Sequence, residues 1–329
     1  MKAFELLRPA SLEQALELLP KPADRERVRV VAGGQDLYTE MKDRLIEPDQ
    51  LLDLKRLAGF DRLEIDGSGN VTLGALLTLS RVAEHAGLRA SLPLVGEAAL
   101  SIASTQIRNV GTVGGNLNQR PRCWYYRHPG AHCLKKGGSE CFSKEGFNKY
   151  NAILGGGPSY IVHPSDLAPA LVAAGAEVVL AKKGSSRTLP LEQYYTLPRD
   201  GDPLRETVLG SDEILTHVRI PAPAAGWKST YLKFKERGSF DFALASVAAG
   251  LVVEAGVVRS ARLVLGGVAP IPWRAKAAEE FLAGKPAQPA TWREAAAIAL
   301  SKAEPLSDNE YKVALSQNLI ERAFTRLTT

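Results

Sequence analysis

Two glycine pairs in matching local settings constrain this 329-residue chain more than any other feature. Ala32-Gly33-Gly34-Gln35-Asp36 follows the β-branched run Val28-Arg29-Val30-Val31 and opens a helix-like stretch through Leu37, Met41 and Leu45. Thr112-Val113-Gly114-Gly115-Asn116 ends the run Gln106-Ile107-Arg108-Asn109-Val110-Gly111. Adjacent glycines permit positive φ and leave no Cβ in the way of a ligand. Consecutive free N–H groups at such a turn form an anion-binding nest, strengthened by the start of a helix. Neither turn is GxGxxG, so the usual dinucleotide fingerprint is absent, and a single Gly-Gly loop is commonplace. Two such turns together would suit a pyrophosphate, with Asn109, Thr112 and Asn116 as neutral donors and acceptors.

Around these turns the chain reads as α+β. Ser11 and Gln14 make a capping box for a helix through Leu12, Ala15, Leu16 and Leu19. Val28–Val31, the following helix and Leu51–Leu54 form a β-α-β unit. Leu63–Leu73, around the turn Asp66-Gly67-Ser68-Gly69-Asn70, reads as a hairpin, and Ala176–Ala181 with Lys183-Gly184-Ser185 as another. Helical stretches are expected around 79–86, 92–103, 273–283, 291–302 and 310–326. The polar stretch 198–212 reads as a linker, and the segments 213–220, 229–235, 243–254 and 257–267 as strands. This gives a first domain over residues 1–212, in which a small β-α-β portion (residues 1–55) precedes a larger portion (residues 56–212), and a second domain over residues 213–329.

Charge narrows the function. Lys+Arg minus Asp+Glu is 41 − 36 = +5, and no basic run exceeds Lys135-Lys136 or Lys182-Lys183, so a nucleic-acid partner is not expected. No apolar run approaches the ~18–20 residues of a membrane span, and the amino terminus lacks the features of a signal peptide.

Cys123, Cys133 and Cys141 are the only cysteines. Their clustering makes them candidate ligands for a soft metal or an iron–sulfur cluster. Arg122, Arg127, Lys135 and Lys136 would offset thiolate charge. The spacings, nine and seven intervening residues, match neither a zinc finger nor a ferredoxin run, and clustered surface thiols are the alternative.

The two glycine segments, including Leu37 and Leu117, resemble those of the FAD-binding subunit of molybdenum hydroxylases. This is the xanthine dehydrogenase and carbon monoxide dehydrogenase medium-subunit family, whose flavin fold is shared with vanillyl alcohol oxidases. Two further segments resemble it: His163-Pro164-Ser165-Asp166-Leu167-Ala168-Pro169-Ala170-Leu171, and Phe234-Lys235-Glu236-Arg237-Gly238-Ser239-Phe240-Asp241-Phe242-Ala243. The resemblance covers nearly the whole chain. It implies a two-part FAD-binding domain of the vanillyl alcohol oxidase type, followed from about residue 226 by a smaller α+β closing domain.

By resemblance, Ala32, Gly33, Gly34, Gln35, Asp36 and Leu37 contact the FAD pyrophosphate and its neighbours, with Arg108, Asn109, Thr112, Gly114, Gly115 and Asn116. Asp166 accepts ribityl hydroxyls, its alternative being a helix N-cap. Lys235 acts catalytically beside the flavin N1/O2 edge, its alternative being a solvated strand face.

The segment 118–160 resembles the insertion that, in the periplasmic aldehyde oxidoreductase branch, binds a [4Fe–4S] cluster through four cysteines. Here Ser159 stands where the fourth cysteine is expected. The expected occupant is a [4Fe–4S] cluster held by Cys123, Cys133, Cys141 and Ser159, with His128 or His132 as fourth ligand, a three-iron cluster and an empty loop as the alternatives.

The implied function is an electron-transfer flavoprotein subunit. It would take electrons from a small [2Fe–2S] subunit to an external acceptor, while a large molybdenum-cofactor subunit oxidises substrate. A self-contained flavin oxidase and a non-enzymatic metal-binding protein are the alternatives. The expected location is the cytoplasm, or the periplasm by co-export with a signal-bearing partner.

Overall fold

The computed structural model describes residues 1–238 and 240–329. Its first unit is a three-stranded parallel sheet of β1 (Glu5–Leu7), β2 (Val28–Val31) and β3 (Gln50–Asp53), in the order β1-β3-β2. Helix Leu12–Glu17 starts as the capping pattern requires, with Ser11 Oγ accepting from Gln14 N at 3.2 Å. The Gln14 side chain reaches back one residue further than expected, to the N–H of Ala10 at 2.6 Å. Helix Leu37–Lys42 is the crossover from β2 to β3, so the β-α-β expectation holds.

The next sheet combines two hairpins. These are β4 (Leu63–Ile65) with β5 (Val71–Gly74), and β6 (Glu177–Lys182) with β7 (Ser185–Pro190). Asp66 shapes the first turn by accepting the N–H groups of Ser68 and Asn70. The two hairpins do not pair with each other. They are joined by β8 (Glu213–Ile220), which pairs with β5 on one side and β6 on the other. The sheet order is β4-β5-β8-β6-β7. This corrects the expected boundary at 212: residues 213–220 complete the first domain, and 198–212 lies inside it rather than linking two domains. Strand pattern along a sequence shows that a strand exists and not which sheet receives it, hence the misplacement.

The closing domain has an antiparallel sheet of β9 (Lys228–Phe234), β10 (Ala245–Glu254), β11 (Val257–Gly266) and β12 (Trp273–Arg274), in the order β12-β11-β10-β9. Three helices follow it, Lys276–Leu282, Pro289–Ala299 and Tyr311–Thr328. The last buries Lys312, Ser316, Leu319, Ile320, Ala323, Phe324 and Leu327, a helical stripe. The sheet's alternation divides it between two cores. Tyr231, Ala248 and Val264 join the core of the first domain, while Val247, Ala249, Leu251, Leu263 and Leu265 meet the closing helices. Both faces are therefore buried, and the residues 245–252 are buried without interruption.

The segment 118–160 is held at both ends. Lys312, fully buried, donates to the carbonyls of Tyr150, Asn151 and Gly267 at 2.9, 3.0 and 2.9 Å. Asn309 donates to those of Asn148, Asn151 and Ala152. At the other end, Tyr126 OH donates to the buried Glu40 at 2.5 Å. The segment is thus an integral element of the fold and not a loose surface loop.

Candidate functional site

A cavity of about 980 Å³ lies where the β-α-β unit, the larger portion of the first domain and the β9–β10 connection meet. Gly33 brings the two glycine turns together: a Cβ there would run into the carbonyl oxygen of Val110, with Gly111 Cα at 3.0 Å. Gly34 adopts φ +70°, and a Cβ on it would collide with the Tyr38 ring. The N–H groups of Gly33, Gly34, Gln35 and Asp36 donate to no group among the described residues. Gly33, Gly34, Gln35 and Asp36 all line the cavity, and unpartnered N–H groups at such a turn are what an anion nest requires.

The second turn works differently. Its N–H groups are consumed internally: Val113 donates to Leu77 O, Gly114 to Ala75 O, Gly115 to Thr112 Oγ1 and Asn116 to Thr112 O. Gly114 is glycine because a Cβ would meet Ala75 Cβ and O at 3.0 Å. The second turn lines the cavity through Thr112, Gly114, Gly115 and Asn116, but it is a packed wall and not a second nest. Asn116 accepts from Ser165 Oγ at 2.5 Å. Arg108 and Asn109 do not line the cavity. Arg108 donates to Ile102 O at 2.7 Å, and Asn109 accepts from Ser80 Oγ at 2.5 Å, so both brace the wall from behind.

Asp36 lines the cavity, yet its carboxylate is turned to the cysteine segment. It accepts from Arg120 N at 2.6 Å, Arg127 Nη2 at 2.7 Å and the Arg122 guanidinium. Burial alone would raise this carboxyl, but Arg122 and Arg127 outweigh it and hold it below the usual carboxylate range. A carboxylate aimed at a pyrophosphate would repel it, whereas this one orders arginines beside the cavity.

Asp166 precedes helix Leu167–Ala173 but makes no side-chain cap bond. Its oxygens accept from Tyr231 OH and Lys233 Nζ, each at 2.7 Å, with Lys233 and Asp166 almost wholly buried. Lys235 follows the end of β9 and does not line the cavity. Lys233, on the strand itself, does not line the cavity either, but it holds the cavity-lining Asp166 from the same side as Tyr231. No motif distinguished these two lysines. Phe240 and Phe242 overhang the cavity from the β9–β10 connection, with the Arg122 guanidinium 5.0 Å from the Phe242 ring centroid.

Behind this cavity is a second, smaller one lined by Cys123, Cys133, Cys141 and Ser159, with Tyr126, Lys135 and Ile161 among its other walls. Ser159 is 1% exposed, and its Oγ has no hydrogen-bond partner among the described residues. Cys123 accepts from Asn151 Nδ2 at 3.7 Å, and burial pushes its thiol up. Cys141 Sγ lies 3.1 Å from Ser143 Oγ. His128 and His132 do not line this cavity. Among the described residues no group of three or more His, Cys, Asp or Glu is arranged to hold one metal ion. The four side chains surround a space instead of converging on a point. Basic charge lies close by: Lys135 meets the buried Glu206 at 2.6 Å, and Glu206 also pairs with Arg120 at 3.0 Å.

His163 sits on the segment between the two cavities. Burial lowers it to about 4, so it is neutral when folded. The unfolded chain binds a proton at about pH 6.5, so below that pH it takes up more protons than the native state. Stability is therefore expected to fall as pH drops from about 6.5 to 4, and His163→Gln should flatten that limb of a pH–stability profile. A profile unchanged by the substitution would count against this.

A cavity of about 980 Å³ walled by both domains, with unpartnered N–H groups at a glycine turn, has the size and donors that a nucleotide cofactor needs. The first domain matches the FAD binding domain in molybdopterin dehydrogenase over residues 2–223, and the second the CO dehydrogenase flavoprotein C-terminal domain over 229–327. The chain belongs to this family of FAD-binding subunits of molybdopterin dehydrogenases. It is 34% identical over 327 residues to the aldehyde oxidoreductase FAD-binding subunit PaoB of Escherichia coli (strain K12), covering 97% of this chain and 96% of that one. It is 28% identical to the carbon monoxide dehydrogenase medium chain of Hydrogenophaga pseudoflava, covering 97% and 95%. Among solved structures, reconstituted CO dehydrogenase from Oligotropha carboxidovorans superposes with a TM-score of 0.77 at 27% identity, covering 99% of this chain and 97% of that one. The family and fold expectations are met. Among the described residues no helix is long and apolar enough to cross a membrane.

Proposed function

We propose that this chain is the FAD-binding electron-transfer subunit of a heteromeric molybdenum-dependent hydroxylase or dehydrogenase. The observation that carries this is the unpartnered run of N–H groups at Gly33–Asp36, opening on a cavity large enough for a dinucleotide. In this reading Gly33, Gly34 and Gln35 receive the pyrophosphate, backed by Thr112, Gly114, Gly115 and Asn116. Asp166 keeps lone pairs for ribityl hydroxyls while Tyr231 and Lys233 hold it in place. Lys233, and not Lys235, acts on the site, through the Asp166 carboxylate that it holds. Phe240 and Phe242 exclude water from the mouth. Bound FAD supplies the means to accept electrons singly or in pairs. Substrate oxidation belongs to a large molybdenum subunit, a small [2Fe–2S] subunit delivers the electrons, and an external acceptor removes them. The visible absorbance of the purified complex, with flavin released by acid and counted per chain, tests the reading. A colourless, flavin-free complex would overturn it.

We propose further that Cys123, Cys133 and Cys141 hold a [4Fe–4S] cluster, with Ser159 at the fourth corner. What supports this is the buried, unpartnered Ser159 Oγ in the same cavity as all three thiols. Such a cluster supplies one-electron transfer when bound. A serine oxygen is a harder donor than thiolate and must lose a proton to bind iron, so this is the weak corner. Ser159→Cys is expected to raise iron retention and suppress any three-iron paramagnetic signal, with flavin content unchanged. Iron analysis and paramagnetic resonance read the result, and no iron beyond that of the [2Fe–2S] subunit in either protein would end the cluster reading.

A further inference from the structure

Two residues adjacent in sequence line the two cavities. Arg122 lines the larger, and the next residue, Cys123, lines the smaller. The same residue that ends the free N–H run, Asp36, grips this junction. Its backbone belongs to the turn facing the larger cavity, while its carboxylate accepts from Arg120 N, Arg127 Nη2 and the Arg122 guanidinium. Arg127 is aimed at it by bonds to Pro121 O at 2.7 Å and Arg120 O at 3.2 Å. The geometry of the turn at one site and of a ligand-bearing segment at the other therefore meet in a single side chain.

Resting on the FAD and cluster reading above, we infer that Asp36 is a positioning residue that couples the two sites, so that filling the cysteine cavity and binding FAD reinforce each other. Occupation of the smaller cavity restrains Cys123 and with it Arg122. An ordered Arg122 and Arg127 hold Asp36, and with it the N–H groups of the Gly33–Asp36 turn. A restraint already made by one ligand is one the other need not impose, and linkage makes the effect equal in both directions. Glu40 holds Tyr126 independently, so Asp36→Asn keeps the shape of the contact and a second anchor while removing the charge that gathers the arginines.

The test is a double-substitution cycle on the full chain in its complex, with the dissociation constant for FAD as readout and iron content measured alongside. Cys141→Ser, at a residue that does not line the flavin cavity, is expected to deplete iron and weaken FAD binding by about 5- to 150-fold, the usual range of coupling between sites. In the D36N background the same substitution should leave FAD affinity unchanged. Equal weakening in both backgrounds would overturn the role of Asp36. No weakening in either, with iron present in the parent, would overturn the coupling itself. A parent complex with no iron beyond that of its [2Fe–2S] subunit would overturn the cluster reading, and the coupling with it. Should D36N fail to fold, iron release to a chelator from the parent protein, with and without FAD, decides. FAD must slow release, and equal rates overturn the inference.

Discussion

Asp166→Ala is expected to cost about 3–5 kcal/mol of stability, the usual penalty for removing one partner of a buried ion pair. Lys233 is 4% exposed at its side chain, and its ammonium points at Asp166 Oδ2. Without the carboxylate it keeps only the carbonyls of Ser101 and Asp241, which carry no net charge to balance it. Asp166 belongs to the first domain and Tyr231 and Lys233 to the closing one, so the damage falls on the contact between domains. Denaturant unfolding followed by tryptophan fluorescence measures it. Lys233→Met in the same chain should recover much of the loss, because it removes the stranded charge. A D166A protein as stable as its parent would show that water reaches Lys233. Loss of flavin from D166A is expected too, but only the double substitution separates a missing ribityl acceptor from a loosened domain contact.

Gly33→Val is expected to abolish flavin binding. Even the first carbon of a side chain there overlaps the Val110 carbonyl oxygen, with Gly111 Cα at 3.0 Å, and neither is the end of a flexible side chain. The two glycine segments would have to move apart, displacing the N–H groups that face the cavity. Equilibrium dialysis against FAD checks this, with circular dichroism confirming that the fold survives. Full flavin content would mean that the turn is not the phosphate nest.

Local elements are legible where neighbours in sequence are neighbours in space. Val28–Val31 and Leu51–Leu54 declare the parallel unit, and Ser11 with Gln14 declares the first helix start. The failures share one cause. Asp36 sits beside Gly33 and Gly34, so it looks like a ligand contact, but its partners Arg120, Arg122 and Arg127 lie 84, 86 and 91 positions away. Lys233 and Lys235 carry the same charge near the same motif, and only the end of β9 tells them apart. The N–H groups of Val113–Asn116 look free in sequence because two of their acceptors, Leu77 and Ala75, lie in a segment with no glycine signature. Ser159 is visible only against a family pattern; its burial and lack of a partner require coordinates.

Placing β8 between β5 and β6 has a consequence for how the chain is made. During synthesis the hairpins β4–β5 and β6–β7 emerge first, and each keeps one open edge until residues 213–220 follow. Exposed strand edges recruit other strands, including those of neighbouring nascent chains. The central strand of this sheet is the last of its five to leave the ribosome. Any pause before residue 220 prolongs the period in which two sticky edges wait for the strand that joins them, and codon choice or chaperone supply over that stretch is a lever on soluble yield.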